Sequence, residues 1–561
     1  MKNRTSHFIK PYIIQIFFSA LFLAVAAITT IGFAFFLGGM VDAAINQDLS
    51  NFKTMAILSI CAMVIELCFE MIGHIIRHNY SYKATSDYKK SLLMKTLSLE
   101  INKYSRYSEA HYLNIISSES TVIKEHYFMQ FPAIIHNAIQ VILAIAALIF
   151  INWKFFCVVI ILFIFSSVLP NIIGGVQGKK AIIASDKNER FLSYLNSVLG
   201  AFELIKTFNI AERISRTFSE YCLEGEKSNY RVETIETVRN VFSAASSFVI
   251  QMGAILAGVF LVFKGELTIG HLFVGIQVIG VVVAPITDLF QRISWVKSTE
   301  EMRKKHEELL GFEVSGNQGK GIKIDNITSL TANNLAFKYE DGFGVHNINI
   351  SFSRGKKYAI IGESGSGKTT ILKLLLGYFE NYSGAIEVNN IEMRDIDKNS
   401  YYEKLSVMNQ NVVLFEDTID NNIKLFRSVD DNAYAEVIAK ANLVEVVERF
   451  TKGDEILSCD NISAISGGEK QRIALARCLL SDADAIIFDE ATAALDPDNA
   501  RVIYDTVLEM KDVMLITVTH DWSDELLSRF DEVIYVSDGT IKYTGVWDKV
   551  KKFTNEMIMK G

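Results

Sequence analysis

Six runs of apolar residues, at 12–37, 53–77, 131–151, 154–174, 241–263 and 267–289, dominate the first half of the chain. A helix needs about 20 predominantly apolar residues to cross the hydrocarbon of a bilayer, where no water satisfies an exposed backbone. Each run meets that length, and the six fall into three pairs joined by short connections. The expected architecture is therefore an α-helical membrane domain of six transmembrane helices. The first run far exceeds the apolar core of a signal peptide, about 7–15 residues, and ends in no small-residue cleavage site, so it should persist as a helix.

Charge sets the orientation. Lys2, Arg4 and Lys10 precede the first run, and the two long connections, 78–130 and 175–240, are rich in Lys and Arg. The short connections carry only Lys53, Lys154 and Lys264, at their edges. The positive-inside tendency then places both termini and both long connections in the cytoplasm of a multi-pass protein of the cytoplasmic membrane. Helical apolar spacing continues through RFLSYLNSVLGAFELIKTF from Arg190, so the helices should extend well past the bilayer. Pro170 and Pro285 fall inside the fourth and sixth runs, where each removes a backbone donor and is expected to bend its helix.

Composition closes off other classes. Five prolines and a hydrophobic fraction of 50% argue for long helices rather than disorder. A net charge of −8 leaves no polybasic surface for nucleic acid. Cys61, Cys68, Cys157, Cys222, Cys459 and Cys478 show no paired metal-ligand spacing and read as structural. Usage rich in Lys, Asn and Ile points to a bacterial source.

After Trp295 the pattern changes to a charged helix, KSTEEMRKKHEELLGF, and then to the Gly-rich SGNQGKG at 315–321. The expected organisation is a transmembrane domain over 1–310 with two cytoplasmic helical extensions, a linker over 311–328, and a soluble α/β domain over 329–561, where strand-like and helical runs alternate.

In that last region an apolar strand ending at Ile361 runs into GESGSGKTT, residues 362–370, and then into the helical ILKLLLGYF. This is the order a P-loop requires. Gly362, Glu363, Ser364, Gly365, Ser366 and Gly367 let backbone N–H groups gather round a phosphate at a helix N-terminus. Lys368 reaches the β and γ phosphates, Thr369 binds Mg²⁺, and Thr370 follows in the first helical turn. Further on, ADAIIFDE places Asp489 and Glu490 at a strand end. Asp489 is the expected Mg²⁺ partner, and Glu490 the carboxylate that polarises water for attack on the γ phosphate.

Between these two sites lies ISGGEKQRIALARCLL, 465–480, which resembles the signature segment of ABC transporters. Tyr339 in AFKYED resembles the aromatic that stacks on adenine. Gln410 in VMNQN resembles the Q-loop glutamine, a further Mg²⁺ contact; Ala494, Leu495 and Asp496 resemble the D-loop; and His520 in ITVTH resembles the switch histidine. With six spans ahead of one nucleotide-binding domain, the whole chain is similar to an exporter-type ABC half-transporter.

The resemblance implies a dimer with a second half-transporter chain, a homodimer or a heterodimer, in which ATP and Mg²⁺ are sandwiched head to tail. Ser466, Gly467 and Gly468 of one chain would close over ATP held by the P-loop of the other, with Lys368, Glu490 and His520 catalytic. It also implies short coupling helices within 102–112 and within 207–213. Two departures stand out: Glu469 replaces the usual glutamine, and EILSCDNISA lacks the Thr-x-Val-Gly-Glu-like sequence that normally precedes the signature. The first run begins at residue 12, so no N-terminal cysteine peptidase of the kind found in some peptide exporters is expected.

Glu66, Glu70 and His74 recur every fourth residue in the second run and share one helix face. A charged group facing lipid costs about 2.5–3.5 kcal/mol on an insertion scale, so the face should turn into the protein or a wet cavity. Two readings follow: a packing element paired with Arg77, His74 or Gln140, or a substrate pathway suited to a cationic or amphipathic cargo. The expected function is ATP-driven export of a peptide or amphipathic, cationic small molecule. The alternatives are a lipid flippase, an exporter-fold importer, and, from another class, an ATP-gated channel or sensor.

Overall fold

The computed structural model describes residues 5–311, 321–339, 342–451, 457, 462, 465–489 and 497–558. The chain divides into two compact units, one of residues 1–97 and 109–311, the other of 98–108 and 312–561. Part of the expected linker, 312–320, lies outside the described residues.

The first unit is helical. Its long helices run Ile13–Ile45, Leu49–Leu97, Glu109–Ile151, Trp153–Gly200, Ala211–Phe263 and Ile269–Ser298, followed by Glu300–Gly311. Among the described residues the first five are long and apolar enough to cross a membrane. The sixth is apolar over the shorter stretch Ile269–Val281. Pro170 and Pro285 each lie within an unbroken helix.

Local chemistry sets the helix ends. The fourth helix starts where Asn152 accepts hydrogen bonds from the N–H groups of Lys154 and Phe155, at 2.8 and 3.3 Å. The sixth starts where the Thr268 hydroxyl accepts from His271 N–H at 3.0 Å. Asp42, near the end of the first helix, adds to that cap by accepting from Gly270 N–H at 2.7 Å and from the Thr268 hydroxyl at 2.9 Å.

Lipid is as apolar as leucine, so these helices associate by close packing over small residues. Gly38 lies so near Gly270 that a Cβ on either would sit 2.7 or 2.4 Å from the other's carbonyl oxygen. Gly73 receives Leu23, and Gly275 receives the Phe155 ring.

The third helix carries two wide π-helical turns, Ile115–Glu119 and Lys124–Phe128. The first ends at Glu119, which accepts a 2.8 Å hydrogen bond from Nε2 of the fully buried His306. The Tyr88 hydroxyl lies 2.7 Å from His306 Nδ1, and the two rings stack. A neutral imidazole protonated on Nε2 satisfies both partners. Next to it, Glu307 accepts from the N–H and hydroxyl of Thr5, at 3.1 and 2.8 Å, tying the N-terminal segment to the helix after the last span.

Within the second long connection the short helix is Phe202–Thr207, just ahead of the 207–213 expected for a coupling helix. Asn209 adopts a left-handed φ of 54°, which stops the helix there before the next begins at Ala211. Near the segment 102–112 expected to hold the other lies the four-residue helix Ile101–Tyr104, which belongs to the second unit.

The second unit is α/β. An antiparallel sheet has the order β2-β1-β4-β5, with β1 Ser329–Lys338, β2 Gly344–Ser353, β4 Ser383–Val388 and β5 Ile391–Glu392. A six-stranded sheet has the order β10-β9-β3-β8-β7-β6. Its members are β3 Lys357–Ile361, β6 Leu405–Asn409, β7 Ala485–Asp489, β8 Met514–Val518, β9 Glu532–Ser537 and β10 Thr540–Gly545. Of these six strands, β10 alone is antiparallel to its neighbour. Every residue of β3 and β8 is buried, as a parallel strand covered on both faces requires. Cutting Ile487 of β7 to alanine would cost this core about 2–5 kcal/mol.

Candidate functional site

Four neighbouring parallel strands end level. Ile360 of β3 is opposite Val518 of β8, Val518 is opposite Asp489 of β7, and Asp489 is opposite Asn409 of β6. This register brings the loop after β3, His520 after β8, Asp489, and Gln410 after β6 to one edge of the sheet, where α/β proteins bind ligands.

The loop after β3 is built for close approach. A Cβ at Gly362 would lie 2.2 Å from the Val536 carbonyl oxygen, and Gly365 and Gly367 have φ of 79° and 105°. Gly367 opens the helix Lys368–Leu375 from that left-handed position. Lys368 is buried and folds back on the loop, donating to the carbonyls of Gly362 and Glu363 at 2.9 and 2.8 Å. The buried Ser366 hydroxyl has no hydrogen-bond partner among the described residues. Glu363, Ser364 and Gly365 are exposed, Thr369 half-buried and Thr370 buried. Glycine curvature, a helix N-terminus, an ammonium group and an unmatched hydroxyl together suit a polyphosphate.

The flanking groups are arranged by their own contacts. The Gln410 carbonyl accepts from the Gln471 side chain at 2.7 Å, which holds an otherwise exposed loop to the helix Gly467–Leu479. Burial and the neighbouring Asp489 charge push the Tyr378 phenol up. Tyr339 is half-buried after β1, edge-on to Phe379 at 5.6 Å. His520 is exposed. Glu490, Ala494, Leu495 and Asp496 lie outside the described residues.

The SGG segment starts the helix Gly467–Leu479, with Ser466 as N-cap. Glu469 N–H donates to the Ser466 hydroxyl at 3.2 Å, and the Glu469 carboxylate accepts from Ser466 N–H at 2.9 Å. The second carboxylate oxygen accepts from Arg449 of the helix Val444–Thr451 at 3.0 Å. Burial pushes the Glu469 carboxyl up, but Ser466 N–H and Arg449 outweigh it and hold the group below the usual carboxylate range.

In the first unit Glu66, Glu70 and His74 are half-buried among exposed apolar neighbours. Glu66 accepts from the Thr30 hydroxyl at 2.8 Å, and Glu70 lies 3.6 Å from His74 Nε2. One turn further on, Arg77 lies within electrostatic reach of Arg292, which donates to Gln130 at 2.8 Å. Buried atoms of His74, Arg77, His136, Asn137 and Arg292 have no hydrogen-bond partner among the described residues. Arg292, Gln471 and Arg449 had no motif to mark them, because their partners stand on other elements.

Membrane-spanning helices followed by a P-loop domain of this build define an ATP-driven membrane transporter. The profile of the ABC transporter family matches residues 345–493, and that of the ABC transporter transmembrane region matches 16–286. The chain belongs to the ABC transporter family; it is an exporter-type half-transporter and an ATP hydrolase coupled to transport.

It is 23% identical over 545 residues to the ATP-dependent lipid A-core flippase of Haemophilus influenzae (strain 86-028NP), covering 96% of this chain and 92% of that one. It is 28% identical to the mitochondrial iron-sulfur clusters transporter ATM1 of Candida glabrata, over 64% of this chain and 50% of the relative. Its fold matches the structure of a bacterial Atm1-family ABC exporter with ATP bound at a TM-score of 0.82 and 20% identity, covering 98% of each chain.

Proposed function

We propose that this transporter, working as a homodimer in the cytoplasmic membrane with its ATPase domain inside, exports an amphipathic cargo bearing ionised groups of both signs, best matched by a peptide. The observation that carries this reading is the layering of charge along one inward face. Carboxylates at Glu66 and Glu70 are followed toward the cytoplasmic end by His74, Arg77 and, from the sixth helix, Arg292. Intramembrane charges are expensive; the unmatched buried nitrogens of Arg77 and Arg292 supply hydrogen bonds that a cargo carboxylate would complete, and Glu66 and Glu70 offer negative charge to an ammonium.

At the ATP site, Lys368 and the loop 362–370 bind the phosphates, Tyr339 meets the base, and Thr369, Gln410 and Asp489 hold Mg²⁺. Mg²⁺ neutralises charge on the β and γ phosphates. Glu490 orients the attacking water, His520 contacts the γ phosphate, and Ser466, Gly467, Gly468 and Asp496 complete the site across the dimer.

A second reading, a lipid flippase, is favoured by the full-length similarity to a lipid A-core flippase and by the Arg77–Arg292 pair, which suits an anionic headgroup. Reconstituted protein assayed with a zwitterionic amphipathic peptide and with a phosphate-bearing lipid separates the two. Peptide uptake into inverted vesicles, lost in both Glu66→Gln/Glu70→Gln and Arg77→Gln/Arg292→Gln, supports the first. Lipid movement without peptide movement, sensitive only to the arginines, selects the second.

A further inference from the structure

Glu469 puts a formal negative charge in the first turn of the signature helix, three residues past its N-cap, where most exporters of this type carry a neutral glutamine. That helix end is where the γ phosphate held by the partner would arrive, so an unbalanced carboxylate there would oppose the dipole field that attracts it. The carboxylate is not unbalanced. One oxygen is held on Ser466 N–H at 2.9 Å and the other on Arg449 at 3.0 Å. The Glu469 side chain retains 15% of its exposure and that of Arg449 49%, so the pair sits at the surface, where salt screens it. The Arg449 guanidinium lies over the Phe450 ring, 4.8 Å from its centroid, which restricts its position.

We propose that Arg449 is a positioning residue of the ATP site. It neutralises Glu469 and keeps that carboxylate closed on the Ser466 backbone, so that the signature helix presents a serine hydroxyl and a positive helix end to the incoming phosphate. The geometry of Ser466 fits this role. Its oxygen accepts from Glu469 N–H at 3.2 Å, which leaves the hydroxyl hydrogen to donate to a phosphate oxygen. Arg449 and Glu469 are 20 residues apart on different helices, and the pair acts only if both are present.

The inference rests on the reading that Ser466 closes over ATP held by the partner, and the test separates the two. Steady-state Mg²⁺-ATP hydrolysis is measured on the full-length protein in lipid for Arg449→Ala, Glu469→Gln and the double variant, with melting temperature as the folding control. Arg449→Ala should raise KM for ATP about tenfold in the Glu469 background and less than about twofold in the Glu469→Gln background, a coupling expected only for groups in direct contact. The difference should shrink in high salt, and Arg449→Lys should recover most of it. Should Arg449→Ala fail to fold, Arg449→Gln keeps the side-chain reach without the charge.

Equal effects of Arg449→Ala in both backgrounds, or none in either, would overturn the inference. Ser466→Arg reports on the underlying reading: if it leaves hydrolysis intact, the shared site itself is wrong. If it abolishes hydrolysis while the Arg449 cycle shows no coupling, only the role of Arg449 fails.

Discussion

His306 Nε2 lies 2.8 Å from the carboxylate of Glu119, and the imidazole making that bond is fully buried. Burial holds the His306 pKa below its ordinary value of 6.5; the hydrogen bond and charge of Glu119 pull it up, and His111 and Lys305 push it down further. Tyr88, on the other ring nitrogen, donates to neutral imidazole and loses its acceptor if Nδ1 is protonated.

The sign of the pH effect follows. Because the folded-state pKa is the lower one, the unfolded chain takes up the proton first as pH falls. The stability from neutral His306 is complete above about 6.5 and is lost as pH falls through the folded-state value. Moving from pH 7.5 to 5.5 should lower the melting temperature of wild-type protein more than that of His306→Gln, read by thermal unfolding in detergent. An equal fall in both would remove His306 as the cause.

Gly367→Ala should weaken ATP binding by roughly tenfold or more. Its φ of 105°, and a Val345 methyl 2.8 Å from where the new Cβ would stand, force the loop to shift, and strain of this kind costs about 1–3 kcal/mol. Titration with a fluorescent ATP analogue measures the loss.

Glu490→Gln should retain ATP binding while turnover falls by about 10²–10⁴, the usual contribution of a positioned general base. Parallel binding and phosphate-release assays on the purified chain check this. Loss of binding and turnover together would assign Glu490 a structural part instead.

Gly270→Ala should destabilise the first unit by about 1–3 kcal/mol, because the added methyl would meet the Gly38 carbonyl oxygen at 2.4 Å and the Asp42 carboxylate at 2.3 Å. Gly280→Ala, on the same helix with nothing among the described residues within 4 Å of the added carbon, is the matched control. The difference between their melting temperatures isolates the crossing from helix propensity.

Features written locally were legible from the chain. The P-loop is a contiguous string whose glycines and lysine act on one another within a single turn, and the four-residue spacing of Glu66, Glu70 and His74 fixed their shared face. What those side chains touch was not legible. Thr30 and Gln130 meet their partners from other helices, and the Glu119–His306 bond joins residues 187 apart in sequence. The end of the short helix Phe202–Thr207 was not legible because its stop signal is a backbone state, the left-handed Asn209, which residue type only permits. Charge in the first unit was half read: the carboxylates stood out in an apolar run, while Arg292 sits beyond the end of its run and comes near Arg77 only through folding.

The second helix runs unbroken for 49 residues, from Leu49 to Leu97. At 1.5 Å per residue it is a rod of about 73 Å, more than twice the roughly 30 Å it needs to cross hydrocarbon. Such a rod behaves as a lever. If it pivots as a rigid body, a tilt of about 10° carries one end sideways by about 13 Å relative to the other, so an adjustment of a few ångströms near the middle becomes a displacement of helical diameter at the tip. Stiffness thus sets the gearing of this half of the molecule: the longer the unbroken helix, the smaller the rotation needed to move its far end by a given amount.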